Sequence, residues 1–154
     1  MANTYSQIYL QIVFAVQGRH SFIHESFREE LQKYMSGIIE KRGQKLYAIY
    51  CMPDHTHILI SYRPAGILIS DLVRDIKASS SAFIKEKKWV INGFSWQAGF
   101  GVFSYTKALA PVVTAYILNQ PAHHEKKKFR QEYLDFMNEF EIEYNERYLF
   151  EFYE

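Results

Sequence analysis

The chain has 154 residues, 48% of them hydrophobic, with 18 Lys and Arg against 17 Asp and Glu and a single cysteine. That size suggests one domain over residues 1–154, and the apolar fraction excludes a disordered chain. The lone Cys51 excludes an internal disulfide and a cysteine-built zinc site, and the net charge of +1 argues at first against a nucleic-acid partner.

Chain order gives the elements. Ile8, Leu10, Ile12, Phe14 and Val16 alternate, which predicts a strand with one buried face. Glu25 to Lys41 carries Phe27, Leu31, Tyr34, Met35, Ile38 and Ile39 at helical spacing, and Gly43 is a suitable stop. Leu46 to Met52 and His55 to Tyr62 read as a strand pair around a Pro53-Asp54 turn. A helix capped by Ser70 is expected from about Asp71 to Lys88. One side of it carries Arg74, Lys77, Lys85 and Lys88. Phe94 to Phe103 reads as one or two short strands. A third helix starts at Ala110-Pro111 and stops near Asn119-Gln120, because Pro121 disfavours helix in the residue before it. A fourth is expected from His123 to Phe140, followed by an acidic, aromatic tail.

The order β-α-β-β-α-β-α-α predicts an α+β fold of the ferredoxin-like, split βαβ (RRM-like) kind. It implies an antiparallel sheet with two helices on one face and further helices at the C-terminus. The N-terminus lacks the basic and long apolar regions of a signal peptide. Apolar runs fall far short of a membrane span. With one unpaired cysteine, these features point to a soluble, cytoplasmic protein.

Two constellations can carry chemistry. His55 and His57 are two apart on a predicted strand, so both face one side, roughly 7 Å apart along the chain, and can hold one metal or simply stand as surface histidines. Tyr116 and Gln120 are four apart on a predicted helix and share a face. His123 and His124 follow Pro121, which separates them from that helix, so a supporting or DNA-contact role is expected of them. Asp54 reads as a turn residue.

These residues lie in three blocks. Met52 to Ile60 contains His55-Thr56-His57, Phe94 to Ser104 is Gly-interrupted and aromatic, and Tyr116 to Gln120 precedes His123-His124. Together they resemble the single-tyrosine HUH transposases of small bacterial insertion sequences, over about Tyr5 to Tyr148. The resemblance implies Tyr116 as nucleophile and His55, His57 and Gln120 as ligands of Mg²⁺ or Mn²⁺. It implies cleavage and rejoining of single-stranded DNA bearing a subterminal hairpin, through a 5′-phosphotyrosine link. It also implies a homodimer whose active sites are shared between chains. Three such ligands are all neutral, and Gln120 beside Pro121 is expected at a mobile helix end. Phe100 stands where relatives often have Tyr. Rival readings are a non-catalytic single-strand binder and a metal-dependent nuclease.

Splitting the charge changes its meaning. Residues 131–154 hold eight acids and one base, while residues 1–130 carry a net charge of +8. Arg74, Lys77, Lys85, Lys88, Lys107 and Lys126 are the expected phosphate contacts, with aromatic residues between them for base stacking.

Overall fold

The structure, a computed structural model, describes residues 4–153. Glu154, one of the tail acids, lies outside the described residues. Strand β1 (Tyr9–Ala15) leads to helix α1 (Glu25–Lys41), then β2 (Lys45–Cys51) and β3 (His55–Ser61). Helix α2 (Ile69–Lys87) and β4 (Gly101–Tyr105) complete the ferredoxin-like unit. Three helices follow: α3 (Ala110–Leu118), α4 (Gln120–His124) and α5 (Phe129–Glu139). The sheet order is β2-β3-β1-β4, antiparallel throughout.

β1 is the central strand, between β3 and β4, and all seven of its residues are buried. The alternation in sequence predicted one buried face, but both faces are covered. Leu10, Ile12 and Phe14 face α1 and α2. Tyr9, Gln11 and Val13 face the C-terminal helices. The pleat of β3 sorts side chains the same way. Cys51, paired with Thr56 across the β2–β3 ladder, touches Met35 of α1, its Sγ 3.9 Å from Sδ. The next positions along β3, His55 and His57, therefore look out on the opposite face.

α2 begins at Ile69, with Leu68 as its cap residue and no side-chain cap. Ser70 is thus inside the first turn rather than capping it. Its charged side is also less free than expected. Lys77 Nζ donates to the carbonyls of Gln97 at 2.9 Å and Gly99 at 2.6 Å, and it lies over the Phe14 ring. Burial pushes this ammonium down to about 8. Lys77 therefore fastens the stretch before β4 to α2 and is not a free phosphate contact. Arg74 is paired with Asp71 and Asp75.

The long fourth helix expected from His123 is divided. α4 begins at Gln120 with Pro121 in its first turn, where a missing N–H costs nothing. Residues 125–128 break the chain before α5 starts at Phe129. α5 approaches β4 closely at Gly101, where a Cβ would lie 2.5 Å from Tyr133 Oη. A glycine there lets the helix reach the sheet. The residues after α5 return across it. Phe150 is buried against Tyr133 and Phe129, and Phe152 packs on Phe129. Gln97 ties this strap down: its Oε1 accepts from Glu151 N at 2.7 Å, and its Nε2 donates to Glu151 O at 2.8 Å. Among the described residues, no helix is long and apolar enough to cross a membrane.

Candidate active site

The outward face of β1 and β3, roofed by α3, α4 and α5, holds a buried polar cluster. His55 and His57 come from β3, Tyr116 from α3, Gln120 and His124 from α4, and Glu132 from α5. His57 and Gln120 are fully buried and Glu132 is 2% exposed. Buried polar groups require partners, and here the partners are one another.

The imidazoles are oriented from behind. His55 Nδ1 donates to Asp54 Oδ1 at 2.7 Å. His57 Nδ1 donates to Gln11 Oε1 at 2.7 Å, and Gln11 Nε2 donates onward to Tyr105 Oη at 2.8 Å. His124 Nδ1 donates to the Lys127 carbonyl at 2.7 Å. Each ring thus turns its Nε2 toward Glu132. The Oε1 atom of Glu132 lies 3.0 Å from His57 Nε2, 3.2 Å from His124 Nε2 and 3.5 Å from His55 Nε2. His55 also stacks face to face on Phe129, with centroids 3.8 Å apart.

The other carboxylate oxygen faces the phenol. Glu132 Oε2 accepts from Tyr116 Oη, and from Gln120 Nε2 at 3.0 Å. Tyr116 Oη also lies 3.2 Å from His123 Nε2. Gln120 Oε1 reaches to 3.3 Å from His55 Nε2. Gln120, the first residue of α4, is therefore held at both ends of its amide.

Burial pushes the His55 ring toward neutrality, but the Asp54 and Glu132 carboxylates outweigh it and hold its pKa up at about 9. His57 is held below the usual histidine range by burial. Burial would raise the Glu132 carboxyl, yet the surrounding imidazoles, His57 first, bring it far below the ordinary carboxylate range. The Tyr116 phenol is driven up, first by burial and then by the Glu132 charge.

Two cavities flank the cluster, each about 310 Å³. One opens on Tyr116, His123 and Glu132. The other, beside Asp54 and His124, is lined by Lys128, Arg130 and the rings of Phe22, Phe152 and Tyr153.

Sequence reasoning brought His55, His57, Tyr116 and Gln120 into one site, and the structure brings them together. It does so within one chain: the ring centroids of His57 and Tyr116 are 6.0 Å apart. The four residues named from the sequence thus come together within a single chain. Sequence reasoning missed Glu132, Gln11 and the orienting work of Asp54, and it held His123 and His124 too far off. One signal for Glu132 was available. It falls on the α5 stripe of Phe129, Tyr133, Phe136 and Met137, all buried, where a carboxylate is out of place without partners. Arg74, Lys77 and Lys85 of α2, with Lys88 just after its end, lie across the sheet from the cluster. Lys126 lines the surface groove that also holds Tyr116, Asn119 and His123. Lys107 borders a separate groove beside Tyr9 and Tyr47.

Comparison with known proteins agrees with this architecture. Residues 4–120 match the family model described as "Transposase IS200 like". The ISDra2 transposase TnpA of Deinococcus radiodurans is 25% identical over 128 residues, covering 79% of this chain and 87% of that protein. A solved Deinococcus radiodurans structure described as a transposase superposes with a TM-score of 0.57 at 22% identity, covering 78% of this chain and 95% of the other. A REP-associated tyrosine transposase bound to a REP hairpin gives 0.60 at 16% identity, over 80% of this chain and 73% of that one. The family match ends at Gln120, so His123, His124 and Glu132 lie beyond it. On that match over most of its length, the chain belongs to the IS200-like transposases.

Proposed function

We propose that this DNA transposase cuts and rejoins single-stranded DNA through a covalent link to Tyr116, with a divalent cation at the histidine cluster. The observation that carries the reading is the convergence of a half-buried phenol with two backed imidazoles on one sheet face. The donor set fits a divalent metal. Each histidine is held at Nδ1, which leaves Nε2 as the ligand atom. His124 Nε2 is buried with no aligned hydrogen bond. Gln120 stands at the edge of the cluster as a further oxygen ligand. Imidazole with oxygen ligands suits Mn²⁺ better than Mg²⁺. When bound, such a cation supplies Lewis-acid polarisation of the scissile phosphate.

The chain's own residues account for the rest. Tyr116 Oη attacks phosphorus and loses its proton. The bond from phosphorus to the 3′-oxygen breaks, and that oxygen takes up a proton. The 5′-phosphotyrosine conserves the bond energy, so a 3′-hydroxyl can reverse the step without a nucleotide cofactor. The phenol's one proton lies in its hydrogen bond to Glu132 Oε2, and His123 Nε2 stands 3.2 Å from the same phenol oxygen. The cavity lined by Lys128, Arg130 and aromatic rings offers cations and stacking faces together, as single strands require.

The solved relative bound to a REP hairpin supports a DNA hairpin as partner. The family resemblance supports a homodimer, and the single-chain cluster supports a catalytic site contained in each subunit. Labelled single-stranded element ends with Mn²⁺ test the reading: a protein–DNA band that survives denaturation is expected. A free 5′-phosphate product would identify a nuclease instead, and binding without product a passive binder. Mixing His57→Ala with Tyr116→Phe protein should restore no activity; recovery would show that the site is shared.

A further inference from the structure

We propose that the cation centre is a three-histidine, one-carboxylate site formed by His55, His57, His124 and Glu132, and that the second oxygen of Glu132 holds the Tyr116 phenol. One carboxylate then joins metal and nucleophile. This deepens the reading above and rests on it.

Three observations carry the assignment. First, the four residues each offer one ligand atom, and these atoms lie within 4.8 Å of one another. Ligands about 2.1 Å from a cation stand about 3.0 Å apart in octahedral geometry and about 3.4 Å apart in tetrahedral geometry. The separations of Glu132 Oε1 from the three Nε2 atoms run from 3.0 to 3.5 Å. Second, the three imidazoles are backed alike, each with Nδ1 donating to an oxygen at 2.7 Å. That arrangement fixes Nε2 as the metal-facing atom in all three, not only in the pair on β3. The His124 Nε2 is buried with no aligned hydrogen bond and stands 3.2 Å from Glu132 Oε1.

Third, Glu132 is divided between two tasks. Oε1 faces the imidazoles, while Oε2 accepts from Tyr116 and Gln120. A buried carboxylate is costly unless it is paired. A divalent cation on the Oε1 side compensates it and leaves Oε2 to orient the phenol. Phe129, three residues earlier on α5, stacks on His55, so one helix supplies the carboxylate and steadies a ligand. The ligand set then carries one negative charge, in place of the three neutral ligands that the family resemblance implied.

Mn²⁺ binding to the full-length protein tests this by the loss of the free-ion paramagnetic signal. One ion should bind, and His57→Ala should abolish binding. Glu132→Gln should weaken it at least tenfold, and His124→Gln comparably, with Glu132→Asp recovering part of the loss. Single-strand affinity measured without metal should stay within a few fold for Glu132→Gln, while covalent adduct formation collapses even at saturating Mn²⁺. Wild-type affinity in both Glu132→Gln and His124→Gln would overturn this proposal alone. A wild-type chain that binds no Mn²⁺, or a His57→Ala chain that still does, would overturn the underlying reading instead. Should the variants not fold, pulsed paramagnetic resonance of vanadyl-loaded wild-type protein counts the bound imidazoles: three are expected, and two would reject the centre.

Discussion

The two sides of the cluster are built differently. On the sheet side, His55 and His57 sit on adjacent outward positions of one strand, and their spacing is fixed by the pleat. On the helical side, Tyr116, Gln120, His124 and Glu132 come from three separate helices, and their convergence depends on two chain breaks and on one close approach to β4. The sheet side is rigid by hydrogen-bonded ladder. The helical side holds its place by packing, chiefly of Phe129, Tyr133 and Phe136. The contrast teaches that a strand can specify a pair of ligands by itself, whereas the nucleophile and carboxylate are placed by tertiary contacts.

Changes on the helical side sharpen this comparison. The largest effect is chemical: Tyr116→Phe should abolish the covalent adduct while single-strand affinity stays within a few fold. An adduct that persists would reassign the nucleophile, with Tyr105 the next phenol to examine. Phe129→Ala removes the ring that stacks on His55 and anchors the strap, and should cost about 3–5 kcal/mol in urea denaturation. It should weaken Mn²⁺ binding although no ligand is changed; unchanged affinity would mean that the sheet side holds His55 unaided. Gly101→Ala places a methyl against Tyr133 and should cost about 1–3 kcal/mol, with α5 displaced outward.

A subtler test uses pH. His55, held up at about 9, must release its Nε2 proton before that nitrogen can serve as a ligand. Metal affinity should therefore rise between pH 6.5 and 9 by up to about tenfold per unit, and level off above 9. A flat profile there would mean that His55 is already neutral. The smallest effects belong to the surface. Lys126→Ala, beside the Tyr116 groove, should lower the salt slope of DNA binding by about one. Arg74→Ala, across the sheet, should leave it unchanged.

Much of the sheet side was legible in sequence because period-two patterning and hairpin turns act locally. β1, α1, β2 and β3 fall within a residue or so of their expected bounds. The histidine pair followed from its motif. The helical side was less legible. Pro121 was read as separating His123 and His124 from the site, but a proline in the first turn of a new helix redirects the chain and brings both back. Glu132 was counted with the acids of the tail, and only its place on an apolar stripe distinguishes it from them. Lys77 looked like a member of a basic face, and its burial against Gln97 and Gly99 depends on a loop whose path the sequence does not display.

The strap after α5 has a consequence for inheritance. Residues 150–153 hold no member of the cluster, yet Phe150 and Phe152 pack on Phe129, and Phe129 braces His55. A chain stopped after Asn145 should therefore keep its histidines, tyrosine and carboxylate but form the adduct poorly; full activity would show that the strap is dispensable. A gene copy interrupted between the codons for Asn145 and Phe150 then loses activity while every residue of the chemistry is still encoded.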